Sequence, residues 1–179
     1  EPLSNLDAKL RKHMRTELAR IHSEVGITTV YVTHDQEEAM TMADRIVILD
    51  QGTLQQIGAP KQVYHEPVNR FVANFIGSPS MNFVDVELVR NADGSGRLVG
   101  DDFDYEVSSR LLQPLDETVS DVEFGIRPEN VRIDPDAPTE KSLETTVDVV
   151  EIVGSDNFIY LELAGKEFRV RAPSEVEPA

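Results

Sequence analysis

The chain has 179 residues, enough for one large domain or two small ones, and it has no cysteine, which excludes disulfides and thiolate chemistry. Its 33 Asp and Glu against 17 Lys and Arg give a formal net charge of −16, which argues against nucleic acid as a partner, because neutralising phosphate needs basic side chains. The sequence shows neither an apolar run of membrane-spanning length nor a basic-then-apolar leader, so nothing in it is expected to cross a membrane or direct secretion.

The first predicted element is a long amphipathic helix over residues 4–26. Leu6, Leu10, Met14, Leu18, Ile21 and Val25 recur at spacings of three and four and form one apolar face. Ser4 or Asn5 can cap its start, and Gly26 stands where a C′ glycine belongs. Residues 28–33, "TTVYVT", lack polar alternation and predict a strand buried on both faces, as in a parallel sheet. Asp35 can cap a following helix, with Glu38 three residues on completing a capping-box pattern. "RIVILD" predicts a second buried strand, and "QGT" turns the chain into "LQQIG" as a hairpin. Pro60 suits the first turn of a short helix. Another short helix is expected over about 68–76, with Val68, Phe71, Val72, Phe75 and Ile76 as a core-facing side.

"GSPS", residues 77–80, reads as linker. From Asn82 onward short alternating segments follow: "FVDVELV", "FDYEVS", "VEFGIRP", "TTVDVVEIV", "NFIYLEL" and "EFRVRA". Turn residues such as "NADGSG" and "LAGK" separate them. This spacing predicts a small all-β barrel or sandwich, with no evident closing strand after it. The domain division expected is 1–77, a linker at 78–81, and 82–179.

Two residues stand out chemically. In a parallel sheet, ligands sit beyond the carboxyl ends of the strands, and His34 is expected at such an end, beside a helix start that favours anions. It reads either as a phosphate or water contact, or as a capping or satisfied buried histidine. Glu1 precedes a tight turn into a helix and could also sit at a strand end; on composition alone it reads as a disordered terminal residue. His13, His22 and His65 read as surface or groove residues. The spread of acid fits either an ordinary acidic soluble protein or one adapted to high salt.

Taken together, "EPLSNLDAKLR" and "TTVYVTHDQEEAMTMADRIVILDQG" resemble the ATP-binding subunit of ABC transporters. Glu1 is similar to the acid that ends the Walker B strand. "SNLD", Ser4, Asn5, Leu6 and Asp7, resembles the D-loop, and His34 the switch histidine of the H-loop. "GAPKQVYHEPVNRFVANFIGSPSMNF" extends the resemblance to the import-type ATPases that energise carbohydrate uptake. "FGIRPENV" resembles part of their regulatory domain, an OB-like barrel called TOBE.

The resemblance implies an α/β fold: the C-terminal portion of a P-loop NTPase (RecA-like) domain, then an OB-like barrel that is expected to be incomplete. It implies ATP and Mg2+ for the intact protein, with Glu1 as general base, His34 as γ-phosphate contact, and Ser4, Asn5, Leu6 and Asp7 at a dimer interface. A paired ATPase subunit or homodimer, transmembrane permease subunits and, indirectly, a solute receptor are the implied partners, at the cytoplasmic face of the membrane. The sequence departs from the family in having no phosphate-binding loop, glutamine loop or "LSGGQ"-like signature. It is therefore expected to be the C-terminal part of a longer protein, inactive alone and without metal ligands of its own. The other reading left open is a non-catalytic regulatory module that binds sugars or small oxyanions.

Overall fold

The structure, a computed structural model, describes residues 8–133 and 142–176. Its contacts divide into two compact units, with the boundary between Ser78 and Pro79.

The first unit opens with α1 (Ala8–Val25). Gly26 ends it at φ +67, and its N–H bonds the His22 carbonyl at 3.0 Å. Nothing lies near a Cβ there, so the backbone angle alone selects glycine. The predicted apolar face of this helix is largely open to solvent: Leu10, Ile21 and Val25 are all exposed. Residues 28–33 correct the expectation of a buried strand. They belong to no sheet, and Val30 is 88 % and Val32 68 % exposed. A strand is a property of a pair, and no second strand lies beside this run among the described residues.

The helix α2 (Gln36–Met42) follows, then a two-stranded antiparallel hairpin, β1 (Ile46–Asp50) and β2 (Thr53–Gly58). Gln51 and Gly52 both have positive φ, the combination that a two-residue hairpin turn requires. Burial on β1 alternates, with Ile46 and Ile48 inside and Val47 and Leu49 outside. "RIVILD" is therefore buried on one face, not two, because its single neighbour is an antiparallel hairpin partner.

Pro60 occupies the first turn of α3 (Pro60–His65), and the Asn69 side chain caps α4 (Arg70–Phe75) through the Val72 N–H at 2.9 Å. Ile46, Ile48, Val63, Val72 and Ile76 form the core of this unit. Full burial of a side chain such as Val63 or Val72 stabilises the fold by roughly 1.5–3 kcal/mol. Phe71 packs against this core, but Phe75, expected inside, is 43 % exposed. It stacks on Phe71 instead, with ring centroids 5.6 Å apart and 9° between planes. The small core is filled by β-branched side chains, and Val68 is exposed as well. Buried Gln56 ties the link between α3 and α4 to β2. It donates to the Glu66 carbonyl at 3.0 Å and accepts from the Val68 N–H at 3.1 Å.

The second unit is built from two antiparallel sheets. One has the order β5 (Phe103–Val107), β4 (Gly96–Gly100), β3 (Asn82–Arg90), β6 (Asp121–Ile126). The other runs β7 (Val147–Val153), β8 (Asp156–Leu163), β9 (Lys166–Pro173). A short helix, α5 (Ser109–Leu112), and a 3-10 turn at Pro128–Asn130 interrupt the strands. Val84, Val86 and Leu88 alternate with exposed Asp85, Glu87 and Val89, and they share one core with Ile159, Leu161, Phe168 and Val170. The barrel-like β domain read from the sequence thus takes the form of two open sheets around a common core.

Asn82 joins those sheets. Its side chain donates to the Arg169 carbonyl at 2.8 Å and accepts from the Arg169 N–H at 2.9 Å, across 87 residues of sequence. The side-chain amide thereby acts as a one-residue strand against the edge of β9.

Candidate functional site

The segment around His34 is held from both sides. The Thr33 hydroxyl donates to Glu38 Oε2 at 2.7 Å and accepts the Asp35 N–H at 2.9 Å. Asp35 Oδ1 accepts the Glu37 and Glu38 N–H groups at 2.9 and 3.2 Å, capping α2 as its short polar side chain predicts. The Tyr31 hydroxyl donates to Glu38 Oε2 at 3.0 Å. The capping box expected of Glu38 does not form. Its carboxylate, only 4 % exposed, faces Tyr31 and Thr33, and the Asp35 N–H goes to Thr33 instead.

Arg15 reaches this acidic turn from α1. Its Nη2 bonds Asp35 Oδ2 at 2.8 Å and its Nη1 bonds Glu37 Oε2 at 2.6 Å. Its Nε lies 3.9 Å from Glu38 Oε1 and is buried without a hydrogen bond. Arg11 adds a second cation 3.8 Å from Asp35. The hydrogen bond to Glu37 raises the Arg15 pKa above its ordinary value, against burial, and the charges of Asp35, Glu37 and Glu38 raise it further. Burial, and then the hydrogen bond to Glu38, push the Tyr31 hydroxyl up to about 12. Three carboxylates in one turn are thus held by one fork of guanidinium donors and by two hydroxyls.

His34 itself is exposed, between the pinned Thr33 and Asp35. It follows a segment that is not part of a paired strand. Glu1, Ser4, Asn5, Leu6 and Asp7 lie outside the described residues. Of the residues that build this turn, Arg15, Tyr31 and Thr33 carried no site role in the sequence reading, and Glu38 was expected only as a capping-box partner of Asp35. One signal was available: Arg11 and Arg15 stand one helical turn apart, opposite an acidic run that begins at Asp35.

Among the described residues, no group of three His, Asp or Glu side chains could hold a metal ion. A hollow of about 520 Å³ in the second unit is lined by Asp85, Glu87, Asp101, Asp121 and Glu123 with apolar neighbours. Its carboxylates repel oxyanions, so it lends no support to an oxyanion-binding module.

Comparison with known proteins gives consistent likenesses. Residues 77–131 match the family model described as the MalK OB fold domain, and residues 124–179 match the TOBE domain. The chain is 50% identical over 161 residues to the xylose/arabinose import ATP-binding protein XacK of Haloferax volcanii, covering 90% of this chain and 40% of that one. It is 42% identical over 198 residues to the trehalose/maltose import ATP-binding protein MalK of Thermococcus litoralis, covering 99% of this chain and 50% of that one. A putative uncharacterized ABC transporter ATP-binding protein of Escherichia coli K12, YcjV, is 43% identical over 180 residues, 96% of this chain and 47% of its own. The chain thus spans two fifths to one half of the length of these relatives.

Proposed function

Because the chain belongs to the ABC-transporter ATP-binding proteins, with their OB-fold and TOBE regions, we propose that it is part of the ATP-hydrolysing subunit of an importer for sugars or related solutes. The observation that carries this reading is the 50% identity to a sugar-import ATP-binding protein across nine tenths of the chain. Residues 1–77 are the end of the nucleotide-binding domain, 78–81 a linker, and 82–179 the regulatory β domain. The intact subunit works as a pair, docks on transmembrane permease subunits at the cytoplasmic face of the membrane, and takes ATP with magnesium.

The chemistry is phosphoryl transfer to water, which demands positioning and charge stabilisation more than covalent participation. Glu1 takes the proton of the attacking water. His34 meets the γ-phosphate and fixes the line of attack, and its exposure leaves the imidazole accessible to a phosphate oxygen. Ser4, Asn5, Leu6 and Asp7 cross to the paired subunit and sense its occupancy.

The test is made in the chain with its upstream residues present. Glu1→Gln keeps shape but cannot accept a proton, so hydrolysis should fall by roughly 10²–10⁴ while ATP still binds. Closed dimers should then accumulate with Mg-ATP in gel filtration. His34→Ala should also lose hydrolysis. A Gln variant that hydrolyses at the parent rate removes Glu1 from the mechanism.

A further inference from the structure

The turn that carries His34 is fixed by a residue on another element, and the means are visible. Asp35 divides its two oxygens: Oδ1 caps α2, and Oδ2 accepts Arg15. Glu38 does the same for the other flank, binding Tyr31 and Thr33 through Oε2 while Oε1 faces Arg15 Nε. Thr33 and Asp35, the two residues adjoining His34, are therefore both tied to a network that converges on Arg15. The Arg15 side chain is 14 % exposed, and its planar fork addresses two carboxylates at once. We propose that Arg15 is a positioning residue for His34, locking the turn to α1 so that the imidazole is presented in one place; the proposal rests on the reading of His34 as the γ-phosphate contact.

The reasoning is geometric. Residues 33–35 would be free to swing if only α2 held them, because α2 has seven residues and Glu38 is its one buried side chain. A fork from the much longer α1 removes that freedom. Lysine replaces it only in part, because an ammonium keeps the charge but cannot span Asp35 and Glu37 with two fixed donors. In reaction terms, a misplacement of about 1 Å can cost on the order of 10²-fold in rate without weakening substrate binding.

The experiment uses the intact subunit, with steady-state and single-turnover ATP hydrolysis and a thermal melt for each variant. Arg15→Gln should lower kcat by roughly 10- to 100-fold, leaving KM for ATP near the parent value. Arg15→Lys should recover part of the loss. Combined with His34→Ala, Arg15→Gln should add no further loss, since both changes act on the same group. A folded Arg15→Gln protein with parental kcat overturns the inference, as does a double variant that falls multiplicatively below His34→Ala. If neither Arg15 variant folds, Arg15 is a structural residue and the inference is rejected. His34→Ala hydrolysing at the parent rate is a separate outcome: it rejects the role of His34 itself, with no Arg15 variant involved.

Discussion

Replacing Asn82 by Ala should unfasten the two sheets of the second unit. The amide is 6 % exposed and makes two hydrogen bonds to the backbone of Arg169, at 2.8 and 2.9 Å. Two such bonds contribute about 1–3 kcal/mol together, and an N–H or C=O left unpaired away from water costs about 1–3 kcal/mol more. Arg169 sits on an edge strand that water partly reaches, so a total of about 2–4 kcal/mol follows for Asn82→Ala. With a urea slope of about 2 kcal/mol/M, the midpoint should fall by about 1–2 M. The chain has no tryptophan, so far-UV circular dichroism is the probe of choice. Amide exchange gives the local test. The Arg169 N–H should lose protection by at least tenfold for each 1.4 kcal/mol or so of lost stability. Asn82→Asp makes the reasoning sharper. Its carboxylate can still accept the N–H but faces the Arg169 carbonyl with a second acceptor, so it should be no better than Ala at neutral pH. An unshifted midpoint, with the Arg169 amide exchanging at the parent rate, would refute the idea that this amide fastens the sheets.

Two further outcomes follow from the charges. The Tyr31 hydroxyl is held up to about 12 against about 10 unfolded, so its contribution to stability is complete below pH 10 and is lost as pH rises towards 12. Absorbance titration should show a late phenol that disappears in Tyr31→Phe, and a Tyr31 that titrates like an exposed phenol contradicts the buried bond to Glu38. The net charge of −16 should make salt stabilising, because the Debye length shrinks to roughly 3 Å at 1 M. The melting temperature should keep climbing into molar KCl if the protein is adapted to high salt, and a flat curve rejects that adaptation.

The features legible in the sequence were those set by a single residue and its neighbours. Gly26 ends α1, Gln51-Gly52 turns the hairpin, Pro60 opens α3 and Asp35 caps α2, each through its own backbone preference. The strand β4 was missed because glycines stand at both its ends, a poor strand signal. Gly96 is there for space: a Cβ would lie 2.8 Å from Leu112 Cδ1. Residues 28–33 misled for the opposite reason, since their β-branched composition reports a preference for pairing and not a partner. Glu38 illustrates the rest. Its spacing from Asp35 fits a capping box, but a hydroxyl on each of Tyr31 and Thr33 outbids the distant backbone N–H, and such competition depends on three dimensions.

The run before His34 has a consequence for handling the protein in solution. Tyr31 and Thr33 are held inward by Glu38, and Val30 and Val32 are exposed, so the run presents an apolar rim. Exposed apolar side chains of this kind favour association between copies. At low ionic strength, mutual repulsion between copies of charge −16 keeps molecules apart. Salt removes that barrier while tightening each fold. Concentrated stocks should therefore cloud at the ionic strengths that raise the melting temperature, and Val30→Lys should widen the working range without touching the buried side of the run.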